Sequence, residues 1–203
     1  MCGIYHIGRE LENGLETMIR MISAERRAGK INSIKIPKIR ERDVRPTELA
    51  PVLSLSEDGA ALREVYWGIP GFQKGQLMIN ARSETALEKQ LFRMGLTRSR
   101  IVIPAKWFYE WNARKEKNMF KNIQGKMLLL AGFSVGTGDA ERFTILTTAA
   151  NDSMKPVHDR MPLVLEEDEV ETWLFDEKRT EEILHKIPEP LLRETDYEQL
   201  SIF

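Results

Sequence analysis

The stretch Lys126-Met-Leu-Leu-Leu-Ala-Gly-Phe-Ser-Val135, then Gly136 to Glu141, then Arg142-Phe-Thr-Ile-Leu-Thr-Thr148, decides the fold. Two runs rich in branched and aromatic residues flank a glycine-bearing break, which predicts strands over 127–135 and 142–148 with Gly138-Asp139 in the hairpin turn. The apolar run at Lys126–Val135 is far too short to cross a bilayer as a helix. Working outward, similar runs predict strands at 51–56, 61–67, 76–80, 100–104 and 107–111, with turn chemistry at Glu57-Asp-Gly59 and Pro70-Gly71. Cys2 to Gly8 alternates enough for one more short strand at the front.

Helical spacing is rarer. Leu11, Leu15, Met18, Ile19 and Ile22 recur with helical period between Glu10 and Gly29, where Gly29 fits a C-cap. Leu87, Leu91 and Met94 suggest one face of a helix over Glu84–Met94. Asn151 to Lys155 reads as a helical turn that stops at Pro156. Glu166–Phe175 and Thr180–Lys186 read as two acidic helices. No repeat and no long linker interrupts the chain, so the expectation is one compact α+β domain over residues 1–203. Its sheet should be curved, barrel-like and mainly antiparallel with peripheral helices, the acidic helical segment 166–203 packing on it.

The 203 residues are 42% hydrophobic and 30% charged, enough for a real core. Charge is unevenly spread. Residues 161–203 hold 13 acidic and 4 basic side chains, which leaves 18 and 26 for residues 1–160. A basic body suits a phosphate-binding face, and two differently charged solvated surfaces fit as well. Lys30 to Pro46, with Lys30, Lys35, Lys38, Arg40, Arg42 and Arg45, reads as a basic surface loop. The single cysteine excludes an internal disulfide and a cysteine-cluster metal site, in keeping with a reducing compartment. With no leader ahead of the charged segment that starts at Arg9, the chain is expected in the cytoplasm.

That cysteine is the second residue. Removal of Met1 would leave an α-amine and a thiol on adjacent carbons, a 1,2-aminothiol that no other residue offers. An α-amine with a pKa of ~7.7–8.0 is partly unprotonated at neutral pH. It can condense with an aldehyde to an imine, and the thiol can then close a five-membered thiazolidine. A small buried hydrophobe is the plainer reading of Cys2. Met-Cys-Gly-Ile also opens glutamine amidotransferase domains that use a terminal cysteine nucleophile. Those require an Asn-Gly oxyanion segment and a Gly-Asp pair. Here Asn13-Gly14 falls inside a helix and Gly138-Asp139 in a turn.

Three further segments accompany Met-Cys-Gly: Met78-Ile-Asn-Ala-Arg-Ser-Glu-Thr85, Ile103-Pro-Ala-Lys-Trp-Phe-Tyr-Glu-Trp111, and Leu146-Thr-Thr-Ala-Ala-Asn151 running on to Val157-His-Asp-Arg-Met-Pro162. Together, over roughly residues 1–175, they resemble the SOS-response-associated peptidase (SRAP) domain family. The resemblance implies a sensor that binds single-stranded DNA and cross-links to abasic sites through the terminal cysteine. It also implies a monomer working without metal or organic cofactor. The family's older name reflects a proposed self-processing peptidase activity.

The resemblance assigns roles residue by residue. Asn80 would hold the terminal cysteine and the attached sugar through its amide, against the alternative of capping the following helix. Arg82 would grip a phosphate, against a surface salt bridge to Glu84 or Glu88. Strand alternation sets Phe108 and Glu110 on one face and Trp107, Tyr109 and Trp111 on the other. A partly desolvated Glu110 is expected to have a raised pKa and to move protons for ring opening and imine formation. His158 would assist the sugar chemistry. Thr148 and Arg160 would finish the pocket and touch the DNA backbone, with Ser83 beside Arg82. Trp67 and Gly68, in Tyr66-Trp-Gly-Ile-Pro-Gly-Phe72, match a stretch beside the DNA, where aromatics can stack on unpaired bases; core packing is the alternative for Trp67. Pro46, in Arg45-Pro46-Thr47, matches a loop that wedges beside the lesion. Two features depart from the pattern. Ile4 stands where the family usually has arginine, and after His185 the Val-Asn strand of many members has no matching motif.

Overall fold

In the computed structural model, residues 2–26, 37–57, 59–71 and 73–195 are described. Gly29, Lys30 and Lys35 therefore lie outside the described residues. The N-terminal strand β1 (Ile4–Ile7) leads into α1 (Leu11–Arg26). Then come β2 (Arg42–Val44), β3 (Leu49–Ser56), β4 (Gly59–Trp67), and the short β5 (Ile69–Pro70), β6 (Leu77–Met78) and β7 (Asn80–Arg82). A 3-10 turn (Ser83–Thr85) precedes α2 (Gln90–Arg98). The central strands are β8 (Arg100–Ala105), β9 (Trp107–Trp111), β10 (Lys117–Asn122), β11 (Leu128–Val135) and β12 (Arg142–Ala149). The last elements are β13 (Arg160–Pro162), β14 (Val164–Leu165), α3 (Glu169–Phe175), α4 (Thr180–Leu184) and β15 (Leu191–Thr195).

The opening hairpin forms as the sequence predicts, with a 3-10 turn at Gly138–Ala140 between β11 and β12. It also closes a barrel. β12 pairs β4, β4 pairs β3, β3 pairs β8, β8 pairs β11, and β11 returns to β12. Most of these pairings are antiparallel, whereas β12 runs parallel to β4 and β7. Closure requires Gly132, because a Cβ there would sit 2.5 Å from the Thr144 carbonyl oxygen and 2.6 Å from Ile103. A second sheet has the order β15-β10-β9-β1-β2, and β5 and β6 form a separate two-stranded ladder. Phe108 stacks on Phe120 at 5.3 Å and Tyr5 packs at a tilt against Trp67 at 5.2 Å, so large rings fill the interior.

Helices cover the outside. The carbonyls that end α2 and α3 meet one buried guanidinium: Arg100 donates to Leu96 O at 2.6 Å and also to the Trp173 and Leu174 carbonyls. One side chain thus satisfies acceptors that two helix ends would leave bare. The acidic helices α3 and α4 form where expected, and Asn151 to Lys155 is a turn closed by Lys155 N–H to Asn151 O at 3.0 Å.

Six strands were not anticipated, namely β2, β5, β10, β13, β14 and β15. The helix expected over Glu84–Met94 begins at Gln90 instead and buries Phe92, Gly95 and Leu96, leaving Met94 47% exposed. Gly95 lets this helix approach Phe133, whose ring would lie 2.3 Å from a Cβ. The expected strand over 76–80 is split, and Asn80 starts β7 rather than ending a strand.

Candidate active site and nucleic-acid interface

Residue 2 is held from a distant strand. The Asn80 side-chain amide donates to the Cys2 carbonyl oxygen at 2.9 Å across 78 positions of sequence. Asn80 does not cap the 3-10 turn, whose N-cap residue Arg82 provides no side-chain bond either. The Asn80 Oδ1 is buried and has no hydrogen-bond partner among the described residues. Cys2 is 1% exposed. Burial, and after it the nearby Glu110, push its thiol pKa well above the ordinary thiol range, so it is protonated at neutral pH.

Glu110 reaches this place through register. Ile4 pairs with Tyr109, and one step along the ladder sets Glu110 across from Gly3, which has no side chain to obstruct it. Alternation sends Phe108 and Glu110 inward, at 0% and 4% exposure, while Trp111 on the opposite face is 37% exposed. The sequence reading of this strand's two faces therefore holds. The neighbour on the far side is not among the expected site residues. Asn118 pairs directly with Glu110, is itself buried, and accepts from Arg193 Nε on β15 at 3.0 Å. A polar residue at an inward position of a mostly polar strand was the available signal.

A second group of residues forms across β12. Arg160 donates to both carboxylate oxygens of Glu84 at 2.6 and 2.8 Å and to the Thr147 carbonyl. Bidentate pairing of this kind fixes the guanidinium plane. It lowers the Glu84 pKa, chiefly through the hydrogen bonds from Arg160. Both terminal nitrogens of Arg160 are thus engaged inside the protein, unlike a cation held ready for a phosphate. His158 Nδ1 lies 2.9 Å from the Arg160 backbone N–H and 2.8 Å from Asp159 Oδ1. The two contacts demand opposite states of Nδ1. The amide can only donate, and Asp159 is 85% exposed, so we assign Nδ1 as acceptor with the ring proton on Nε2. Thr147 joins the two groups: it pairs with Arg82 of β7, its hydroxyl donates to Ala81 O at 3.4 Å, and its carbonyl receives Arg160.

Arg82 is exposed, and neither Glu84 nor Glu88 pairs with it; no ion pair to Arg82 occurs among the described residues. Ser83 takes the opposite face, 1% exposed, with its hydroxyl buried. Alternation along Asn80-Ala-Arg-Ser83 accounts for this, and it corrects the expectation that Ser83 faces DNA. Thr148 is 4% exposed on β12.

Trp67 and Gly68 are likewise corrected. Trp67 is 0% exposed, lies between Tyr5 and Phe143, and donates Nε1–H to Ile79 O at 2.9 Å. A ring enclosed on both faces cannot stack on a base. Gly68 is buried as well, with its amide donated to Phe143 O at 2.8 Å and φ of +106°, a conformation that favours glycine. Pro46 is half-buried. Glu48 N–H bonds Arg45 O at 3.1 Å and Thr47 has φ of +76°, which makes Arg45–Glu48 a type II turn with proline at its preferred second position. A β-branched threonine in the third position is strained, since glycine is the residue that fits there.

The segments that a glutamine amidotransferase would require are elsewhere: Asn13-Gly14 lies within α1 and Gly138-Asp139 in the turn between β11 and β12.

Comparison with known proteins gives concordant matches. The model of the SOS response associated peptidase (SRAP) family matches residues 1–202. The abasic site processing protein YoaM of Bacillus subtilis strain 168 is 36% identical over 139 residues, 61% of this chain and 61% of YoaM. YoqW of the same strain, also named an abasic site processing protein, is 33% identical over 155 residues, 68% of this chain and 69% of its own. YedK of Escherichia coli K12, named likewise, is 30% identical over 145 residues, 66% and 64% of the two chains. The chain thus spans about three fifths to two thirds of the length of the relatives it matches. Among solved structures, a phage-related protein of Bordetella bronchiseptica superposes with a TM-score of 0.74 at 24% identity, covering 96% of this chain and 93% of that one. At that identity the likeness speaks for the fold alone.

Proposed function

The chain belongs to the SOS response associated peptidase family, and from that premise we propose that it captures abasic sites in single-stranded DNA through a thiazolidine on Cys2. Relatives named abasic site processing proteins support the lesion. The observation that carries the chemistry is the Asn80 to Cys2 bond at 2.9 Å with Glu110 beside the thiol.

The steps balance as follows. Hydrolysis first removes Met1 and frees the Cys2 α-amine. That amine attacks C1′ of the ring-opened deoxyribose aldehyde, and the carbinolamine loses water to give an imine. Glu110 delivers a proton to the departing oxygen and accepts one from the attacking nitrogen. The Cys2 sulfur then bonds the same carbon while its proton passes to nitrogen, closing the ring. Asn80 holds residue 2 in place through its carbonyl, and its buried Oδ1 is an acceptor suited to an amine N–H. His158 serves the sugar oxygen from the other side of β12, and Arg82 takes a neighbouring phosphate.

The test is incubation of the Met1-processed protein with an oligonucleotide bearing one abasic site, followed by a denaturing gel in high salt. A shifted band is expected from the parent. Cys2→Ser keeps the amine and loses ring closure, so a persistent adduct of parental yield from that variant refutes the thiazolidine. Release of ammonia from glutamine without any adduct would favour an amidohydrolase instead.

A further inference from the structure

The fork between β2 and β3 contains a feature that the chemistry at Cys2 leaves unused. Beyond the Arg45–Glu48 turn the two strands diverge around a cavity of about 800 Å³. Its walls come from Ile7 at the end of β1, the first turn of α1, residues 37–42, and the paired Pro51 and Glu64 of β3 and β4. Four cations line it, Arg9, Lys38, Arg40 and Arg42, against the two acids Glu12 and Glu64.

Two of these six side chains are already occupied. Glu12 accepts the Ile39 amide at 2.6 Å, and Arg42 is bound by Glu48 and the Leu49 carbonyl. Arg9, Lys38 and Arg40 are exposed and have no ion pair or side-chain hydrogen bond among the described residues. Even with Glu64 on the same wall, these three cations leave an excess of positive charge around one concavity among the described residues, which an anion would offset. Arg9 adds to this imbalance, because it stands at the positive end of the α1 dipole.

Position indicates which anion. Ile7 pairs with Arg42, so the cavity lies five residues from Cys2 along β1, about 17 Å at ~3.4 Å per residue. Exposed Arg45 stands on the turn between them. A single strand leaving Cys2 past this turn would meet Arg42, Arg40 and Lys38 in sequence. These residues belong to the basic stretch that the sequence marks and the cross-linking steps do not employ.

We propose that the β2–β3 fork binds backbone phosphates of the same DNA strand, a few nucleotides from the one held at Cys2. This rests on the DNA reading of the Cys2 site. It predicts a dependence on strand length that the lesion chemistry alone does not.

The experiment measures the affinity of the full chain for lesion-free single-stranded DNA against salt, with an oligonucleotide of about 20 nucleotides and one of about 4. In the variant Arg9→Gln/Lys38→Gln/Arg40→Gln, loss of three phosphate contacts at ~0.7 each should flatten the log–log slope by ~2 for the long strand only. A second variant, Arg9→Lys/Lys38→Arg/Arg40→Lys, should keep the parental slope. An unchanged slope with the long strand overturns the proposal. So does equal flattening with both lengths, which would mean a general field rather than a site. Because the DNA has no aldehyde, the result stands whether or not Cys2 cross-links.

Discussion

Replacing Trp67 by leucine distinguishes a packing residue from one that stacks on DNA. The side chain is wholly buried, and its indole nitrogen donates to Ile79 O, immediately before Asn80. Leucine removes six heavy atoms. Five are carbons, worth ~0.8 kcal/mol per buried CH₂, so the transfer loss is ~4 kcal/mol before relaxation. The lost hydrogen bond adds little, because Ile79 O still accepts Ile145 N–H at 3.2 Å and no buried acceptor is stranded. Partial collapse of the site brings the expectation to ~3 kcal/mol, the lower end for deletion of a buried tryptophan. For a chain of this length that is a fall of about 6–12 °C in melting temperature. Thermal and urea unfolding measure it. DNA affinity of the folded variant, taken well below its transition, should stay within about threefold of the parent. A base-stacking ring would behave oppositely, with stability nearly kept and affinity reduced by ~1–3 kcal/mol, roughly 5- to 150-fold. A melting temperature within about 2 °C of the parent, together with tenfold weaker binding, refutes the buried assignment.

Glu84→Gln should remove a stabilisation that is full above the ordinary carboxylate pKa of 4.5 and lost as pH falls through the lowered folded value; acid titration of parent and variant by circular dichroism should show their curves converging in that window. Gly132→Ala should destabilise by ~2–3 kcal/mol through overpacking at barrel closure, read from the urea midpoint, since the obstructing atom is a backbone oxygen. The buried thiol should resist iodoacetamide at pH 7 in the native protein and react on unfolding. Because its folded pKa is raised, its ionisation costs stability only as pH climbs past about 9.0, and equal labelling of native and unfolded chains contradicts this. Glu110→Gln should slow single-turnover cross-linking by ~10²–10⁴-fold while leaving non-covalent binding intact; parental rates at every pH would make the carboxylate structural.

Much of the barrel was legible because its strands are apolar on the inward face. β3, β8, β11 and β12 announce themselves that way. β10 does not: Lys117-Asn-Met-Phe-Lys-Asn122 buries Asn118 and Phe120, and a polar residue on the inward face hides the alternation. β2 is three residues long, and β15 has only Leu191 fully inside. Neither gives a period to count. Register sets which functional residues could be read. Glu110 was placed correctly because Phe108 marks its face two positions away. Trp67 was open to both readings, although Val65 and Trp67 share the buried face of β4 while Tyr66 is 36% exposed. Arg160 was legible as a motif but not as the partner of Glu84, because the two lie 76 positions apart and are united only by the parallel pairing of β7 with β12.

A protonated thiol at the reacting residue would be a defect in an enzyme that attacks with sulfur first, since the thiolate is the nucleophile. In the proposed sequence it determines the order of bond formation. The free α-amine, with an ordinary pKa of ~7.7–8.0, is the group able to attack at neutral pH, so the imine precedes the thioether bond. The imine nitrogen then needs one proton, and the neutral thiol has one to lose to the same ring. Ring closure therefore takes no proton from solvent, and a buried site suits it. The burial that silences Cys2 toward other electrophiles leaves this intramolecular step untouched. In the proposed sequence Asn80, which bonds the Cys2 carbonyl, would hold residue 2 so that amine and sulfur are presented to a single carbon. Asn80→Ala should accordingly slow imine formation and ring closure together, whereas Cys2→Ser should leave a borohydride-trappable imine. A trappable imine that accumulates in Asn80→Ala at the parental rate would show that the asparagine positions the sulfur alone.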